Sequence, residues 1–257
     1  MEEGNVVRDT NRIFGVDIDN ITEKEAQDIT KELIEKSNKS CTFIASPNVE
    51  FVMHAQKDKE FFDILKKAKL STPDSIGIIW AGKKLKKPFK IRIPGQRYFR
   101  LVLEMAEKEG YTVYLLGGKG ETPRLAKENV EKIYPKVKII GYHEGYFEQD
   151  SEEEVIEEIN KLQPNILFVA LGAPKQEKWI IKHQNELKVD VAAGQGGTYD
   201  YEAGNIKRAP MWIQKIGMEW FWRLLKQPSR IVRMMAIPKF MLKLFFTKDI
   251  TKSKWEK

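Results

Sequence analysis

From about residue 11 to residue 200 the chain alternates short apolar, often β-branched runs with longer stretches whose apolar positions recur every three or four residues. That is the written form of a mostly parallel sheet with crossover helices, since parallel strands are covered on both faces and the helices between them on one. Strands are predicted at Cys41–Ala45, Tyr111–Leu116, Val137–Ile140, Ile166–Leu171 and Val189–Ala193, with a further one at Ile76–Trp80. Helix starts are predicted at the capping-box patterns Thr22-Glu-Lys-Glu25 and Ser151-Glu-Glu-Glu154. Behind them Ala26, Ile29 and Leu33, and Val155, Ile159 and Leu162, each draw one apolar face. The fold class is therefore α/β, a Rossmann-like sheet with flanking helices. Most of the strands run into glycine, and in open α/β sheets ligands bind in the crevice beyond the carboxyl ends of the strands.

The pattern changes near residue 207. Residues 207 to 257 hold 13 Lys and Arg against three Asp and Glu, and so carry +10 of a chain whose net charge is only +7. Trp212, Trp220, Trp222 and Trp255 lie there too, four of the six tryptophans. Cations interleaved with aromatic and aliphatic side chains suit a surface both anionic and oily, as a membrane face is. The chain is accordingly divided into a body, residues 1–206, and a basic amphipathic helical appendage, residues 207–257, and the body is expected to fold without the appendage. Arg223, Lys226, Arg230 and Arg233 would share one face of an unbroken helix, with Pro228 as the threat to its continuity. Met241, Leu242, Phe245 and Phe246 are the candidates for the face that enters the lipid interface. The most apolar run, Ile231 to Phe246, is interrupted by Arg233, Pro238, Lys239 and Lys243, so it is expected to lie on a bilayer rather than cross it. The first residues lack the basic start and apolar run of a signal peptide, and the single Cys41 forms no intrachain disulfide; both point to a reducing cytoplasm. Nucleic acid is disfavoured as a partner, because the body is net acidic and carries no nucleic-acid motif. An exposed apolar face on the appendage leaves a homo-oligomer open.

Candidate chemistry gathers at the glycine loops. Leu115-Leu-Gly-Gly-Lys-Gly120, with Gly117 and Gly118, and Gly194-Gln-Gly-Gly-Thr198, with Gly196 and Gly197, each follow a strand and offer free backbone amides to a phosphate. Neither completes a dinucleotide fingerprint, so no nicotinamide cofactor is expected, nor any other. Asp200 follows the second loop as a possible acceptor for a ribose or base hydrogen bond. Asp17-Ile-Asp19 has the form of a metal-binding D-x-D, but it precedes a helix cap and has no nearby Glu or His, so a turn is the simpler account. His54, His143 and His183 have no metal-ligand spacing, and no metal is expected. Asp74, in Thr72-Pro-Asp-Ser-Ile-Gly77, is a turn or cap aspartate on its residues alone, or else a partly desolvated carboxylate suited to act as a base. Ser46 and Asn48, in Ser46-Pro-Asn48, either meet a ligand or cap a helix. Arg92, in Ile91-Arg-Ile-Pro-Gly95, reads as an anion contact or a solvated strand edge.

Seven segments in order resemble the WecG/TagA/CpsF family, glycosyltransferase family 26, and the resemblance covers most of the chain. The strongest are Phe168-Val-Ala-Leu-Gly-Ala-Pro-Lys-Gln-Glu-Lys-Trp179, Gly204-Asn-Ile-Lys-Arg-Ala-Pro210 and Glu219-Trp-Phe-Trp-Arg-Leu-Leu-Lys-Gln-Pro-Ser-Arg230. Ser46-Pro-Asn48, Pro73-Asp74, Ile91 to Gly95 and Leu115 to Gly118 complete the set. The resemblance implies an inverting, metal-independent sugar transfer from a UDP-sugar donor to a polyprenyl-diphosphate-linked acceptor. It makes Asp74 the general base, puts Ser46, Asn48, Arg92 and Gln176 among the substrate contacts, and brings Arg223, Arg230 and Arg233 to the lipid diphosphate. Its wall teichoic acid branch is the nearest, implying N-acetylmannosamine transfer to the C4 hydroxyl of undecaprenyl-diphosphate-N-acetylglucosamine by an enzyme held at the inner face of the cell membrane. The alternatives are another UDP-sugar, N-acetylmannosaminuronic acid or glucose, and a membrane-associated binding protein without catalysis. Three positions depart from the common family pattern: Gln195 for valine, Ser75 for glycine and Ser46 for threonine. Gln195 puts the donor's identity most in question.

Overall fold

A computed structural model describes residues 8–146, 151–207, 209, 210, 213, 219–226, 228 and 231–256. The chain opens with an antiparallel hairpin, β1 (Thr10–Ile13) and β2 (Val16–Asp19), followed by α1 (Glu23–Lys36). Next come β3 (Thr42–Ala45), α2 (Val49–Ala55), α3 (Lys59–Lys66), β4 (Leu70–Ser71), α4 (Ile76–Lys84) and α5 (Gly95–Glu109). Then follow β5 (Thr112–Gly117), α6 (Thr122–Ile133), β6 (Lys138–His143), α7 (Glu152–Leu162), β7 (Ile166–Ala170), α8 (Lys175–Lys182), β8 (Val191–Gly194) and α9 (Thr198–Glu202). The described C-terminal helices are α10 (Glu219–Lys226), α11 (Ile231–Met234) and α12 (Ala236–Phe246).

Six strands form one parallel sheet in the order β4-β3-β8-β7-β5-β6. Alternate residues of each strand feed opposite faces. Phe43, Leu167, Val169, Tyr114 and Leu116 join the core under α2, α3, α8 and the hairpin, while Ile44, Ile166, Phe168, Val113 and Leu115 join the core under α1, α5 and α6. That double burial is why the strands predicted at β3, β5, β7 and β8 read as largely apolar runs, whereas the edge strand β6 is only partly buried. The Thr22 capping box forms as predicted, Thr22 accepting from the Glu25 amide and Glu25 from the Thr22 amide. Ser151 does precede a helix, but its side chain makes no cap hydrogen bond.

Two predicted elements are corrected. Ile76–Trp80 is the start of helix α4, not a strand: Gly77, Ile78, Ala81 and Gly82 are buried and the exposed position among them is Trp80, so no polar residue before Lys83 reveals the helical period. Arg92 lies in the loop before α5 rather than on a strand edge. The basic stretch is not one helix either, since α10 and α11 are separate. Asp17 and Asp19 serve the hairpin: Asp17 accepts from Arg12 at 2.7 Å, and buried Asp19 takes Arg8 and, at 2.7 Å, the Ser71 amide.

The last helix packs into the body. Phe240 is wholly buried, edge-on to Phe14 at 5.8 Å, and Lys243 Nζ lies 4.5 Å over the Phe14 ring. The carbonyls left open at the end of α12 are closed by Lys84, whose Nζ donates to Leu244, to Phe245 at 3.1 Å and to Thr247 at 2.9 Å. Beyond it Ile250 and Thr251 accept from the Phe14 and Gly15 amides, at 2.6 and 3.1 Å. None of the described helices is long and apolar enough to cross a membrane.

Candidate active site

A cavity of about 1040 Å³ opens beyond the carboxyl ends of β3, β7 and β8, walled on its far side by α10, α11 and α12. Sheet topology explains what converges there. Because β4 pairs parallel to β3, the loop after β4 runs beside Ser46-Pro-Asn48: Thr72 N donates to Ala45 O at 3.0 Å and Asp74 N to Pro47 O at 3.4 Å. The loop before α5 is strapped on in turn by Ile93 N to Pro73 O, 2.8 Å. Ser46, Asn48, Asp74 and Arg92, separated in sequence, thus line one wall. Ser46 Oγ accepts from Thr72 Oγ1 at 2.9 Å, which leaves the Ser46 hydroxyl proton for a ligand. Asn48 caps α2 through its Oδ1, 3.1 Å from Phe51 N, so it is the Asn48 amide hydrogens that remain to be shared.

Asp74 keeps one face open to the cavity while protein surrounds the rest. That loss of water lifts its carboxyl from the ordinary 3.8 to about 7. Arg92 and the Gly95 amide oppose the shift, and Glu219 and Glu50 add to it. At neutral pH this group exchanges a proton readily, as a general base must.

The opposite wall is built from backbone. Gly118, Gly172, Gly196 and Gly197 line it, and one side chain ties two of these loops together. Gln176 Oε1 accepts from Gly172 N at 3.2 Å and from Gly196 N at 2.9 Å, while Gln176 Nε2 donates to Glu177 Oε1 at 2.6 Å. Glu177 is 2% exposed and its Oε2 has no hydrogen-bond partner among the described residues; burial, partly offset by Gln176, raises its carboxyl to about 7. A Cβ on Gly194 would sit 2.5 Å from both Gln176 Nε2 and Glu177 Oε1, so glycine there is what admits the pair. Gly117 does not line the cavity; a Cβ on it would meet the Ala170 carbonyl carbon and oxygen at 2.5 Å, so it is needed where β5 closes on β7. Asp200 lines the cavity.

The C-terminal segment completes the rim. Glu219, Trp220, Arg233, Met234, Ile237 and Met241 line the cavity, and Met241 thereby points inward instead of joining the exposed Leu242, Phe245 and Phe246. Arg233 Nε pairs with Glu50 at 3.0 Å and Arg92 Nη2 with Glu219 at 3.2 Å, each ion pair joining this segment to the body. Arg223 belongs to α10, but its side chain and the whole of Arg230 lie outside the described residues. Residue-by-residue reading passed over Glu177, Trp179, Glu219 and Trp220. All four lie within the two longest quoted segments, so a signal was present.

A carboxyl raised toward neutrality beside an arginine, across a cavity from glycine loops at the carboxyl edge of a parallel sheet, is an arrangement suited to transfer chemistry. The comparisons make the class specific: residues 11–254 match the model of the glycosyl transferase WecG/TagA/CpsF family, and the chain belongs to that family of glycosyltransferases. It is 35% identical over 199 residues to the N-acetylglucosaminyldiphosphoundecaprenol N-acetyl-beta-D-mannosaminyltransferase of Bacillus subtilis (strain 168), covering 77% of each chain. To the enzyme of the same name from Staphylococcus aureus (strain MW2) it is 33% identical over 232 residues, 90% of this chain and 91% of the relative.

Proposed function

We propose that the chain is an inverting, metal-independent transferase. In this reading it moves N-acetylmannosamine from UDP-N-acetylmannosamine to the C4 hydroxyl of undecaprenyl-diphosphate-N-acetylglucosamine, for the linkage unit of wall teichoic acid. The names of the relatives support the substrates. The chemistry rests on one observation, the Asp74 carboxyl held near neutrality at the cavity wall. Asp74 takes the proton from the acceptor C4 hydroxyl as that oxygen attacks the anomeric carbon from the face opposite UDP, and the configuration inverts. The charge growing on the departing diphosphate is met by the Gly197 amide and the Arg92 guanidinium, while Gly118 and Gly196, whose amides are held by Ala170 O and Gln176 Oε1, let the backbone come close to it. Ser46 and Asn48 orient the reacting sugars, Gln176 holds the loops and shares its remaining amide hydrogen, and Asp200 accepts from the nucleoside.

In the same reading residues 1–206 hold the donor, and residues 207–257 bring the acceptor. Arg233, with Arg223 and Arg230, grips the lipid diphosphate, since guanidinium pairs bidentately with phosphate. Leu242, Phe245 and Phe246 stand exposed for contact with the inner face of the cell membrane. The deciding measurement is UDP release from UDP-N-acetylmannosamine with a short-chain polyprenyl-diphosphate-N-acetylglucosamine, in the presence and absence of EDTA. Release that requires the acceptor, survives EDTA and vanishes in Asp74→Asn supports the reading. Release with another UDP-sugar only would move the donor assignment, and EDTA-sensitive release would remove the metal-free mechanism.

A further inference from the structure

Gln195 begins the loop after β8, its amide donating to Val169 O at 2.7 Å, so its backbone is fixed to the neighbouring strand. Its side chain is 5% exposed, yet it lines the cavity. Thr198 Oγ1, in the first turn of α9, lies 3.3 Å from Gln195 Oε1 and holds the carbonyl end of the amide. The other end, Nε2, has no hydrogen-bond partner among the described residues. Trp179 Nε1, also buried and on the same cavity, is likewise unpartnered. A buried N–H without an acceptor is costly, and both of these groups can only donate. A cavity wall that presents two unpaired donors is complementary to an acceptor-rich ligand, as a nucleotide-sugar is.

We propose that Gln195 is a specificity-determining residue of this site, its Nε2 donating to an acceptor oxygen of the bound nucleotide-sugar while Thr198 fixes the amide's orientation. The proposal rests on the donor assignment of the proposed function. It explains why a long amide is buried beside loops otherwise made of glycine: a glycine backbone admits any diphosphate, whereas a placed side-chain donor selects among nucleotide-sugars. Selection by a missing partner is strong, because a site that leaves a buried polar group unpaired rejects the wrong ligand.

The test is calorimetric titration of the full chain, and of its Gln195→Met and Gln195→Glu variants, with UDP and with UDP-N-acetylmannosamine, alongside their unfolding temperatures. Met keeps the length and removes the donor; Glu keeps the shape and, ionised in titrations run at alkaline pH, offers only acceptors. Both variants are expected to bind about tenfold more weakly, the cost of one buried hydrogen bond. Loss for both ligands places the contacted oxygen on the nucleotide, and loss for the sugar nucleotide alone places it on the sugar. Wild-type affinity for both ligands in Gln195→Met, or in Gln195→Glu, overturns the proposal. Should either variant fail to fold, Thr198→Val frees the amide without replacing it and is expected to weaken binding about threefold, and unchanged binding there overturns the proposal equally. A wild-type chain that binds neither ligand removes the functional reading and this proposal with it, whereas wild-type binding with an indifferent Gln195 removes the proposal alone.

Discussion

Glu219 Oε2 lies 3.2 Å from Arg92 Nη2, so a carboxylate from the C-terminal segment neutralises the arginine that opposes the upward shift of Asp74. The two partners push the same carboxyl in opposite directions. Glu219→Gln removes a negative charge and releases Arg92, and is expected to move the acid limb of the pH profile of kcat/KM to lower pH. Arg92→Gln is expected to move it higher. That limb reports the base of the free enzyme, so the pair is read from two profiles. Shifts of the same sign in both variants would separate Asp74 from this ion pair.

Asp74 carries the heaviest consequence. With its carboxyl raised to about 7, wild-type kcat/KM is expected to climb as pH rises through about 7 and then level off. The stability effect has the opposite sign. The folded chain holds this proton to a higher pH than the unfolded chain does, so stability falls as pH rises from about 4 to about 7 and stays lower above it. Asp74→Asn is therefore expected to lose activity by about 10²–10⁴-fold while raising stability at pH 8 by about 1 kcal/mol, seen in urea unfolding. An active Asp74→Asn chain would dismiss the base.

Much of this site was legible, and the exceptions have physical reasons. The strands showed because parallel strands covered on both sides are contiguous apolar runs, and the two glycine loops showed because they end such strands. Helix α4 was misread because its exposed side near the start carries Trp80 rather than a polar residue, so Ile76 to Gly82 reads as one apolar run like a buried strand. The hairpin β1–β2 was missed because its turn is Phe14-Gly15, both at positive φ, 48° and 82°. A phenylalanine in the first of those places is no ordinary turn signal; Asn or Asp would be. Asp74 could not be told from a turn residue by local sequence, since its burial is a tertiary effect, and the charges of Arg92, Glu219 and Glu50 that modulate it come from other elements of the chain.

Gln176 and Glu177 make a separable case. Gln176→Ala cuts both loop amides free and leaves Glu177 without its donor, and is expected to cost about 1–3 kcal/mol in stability and to raise KM for the nucleotide-sugar. Glu177→Gln can still accept from Gln176 and carries no charge to bury, so it is expected to fold at least as well as wild type and to keep most activity. Equal damage from both substitutions would show that the charge on Glu177, rather than its hydrogen bond, matters.

The final helix separates anchoring from folding. Phe240 is fully buried against Phe14, so Phe240→Ala is expected to destabilise the chain by about 3–5 kcal/mol. Phe245 and Phe246 are 78% and 74% exposed, so their joint replacement by Ser is expected to change stability by less than about 0.5 kcal/mol. The same double variant is expected to lose co-sedimentation with anionic vesicles and turnover on a membrane-embedded acceptor, while keeping turnover on a short, water-soluble one. A chain ending at residue 206 lacks Phe240, Leu244 and Ile250 together, all of them buried, along with the carbonyls that receive the Phe14 and Gly15 amides. It is expected to unfold well below the full chain rather than persist as a nucleotide-binding body. Cooperative unfolding of that truncated chain at the wild-type temperature would show that the last helix adds nothing to the core.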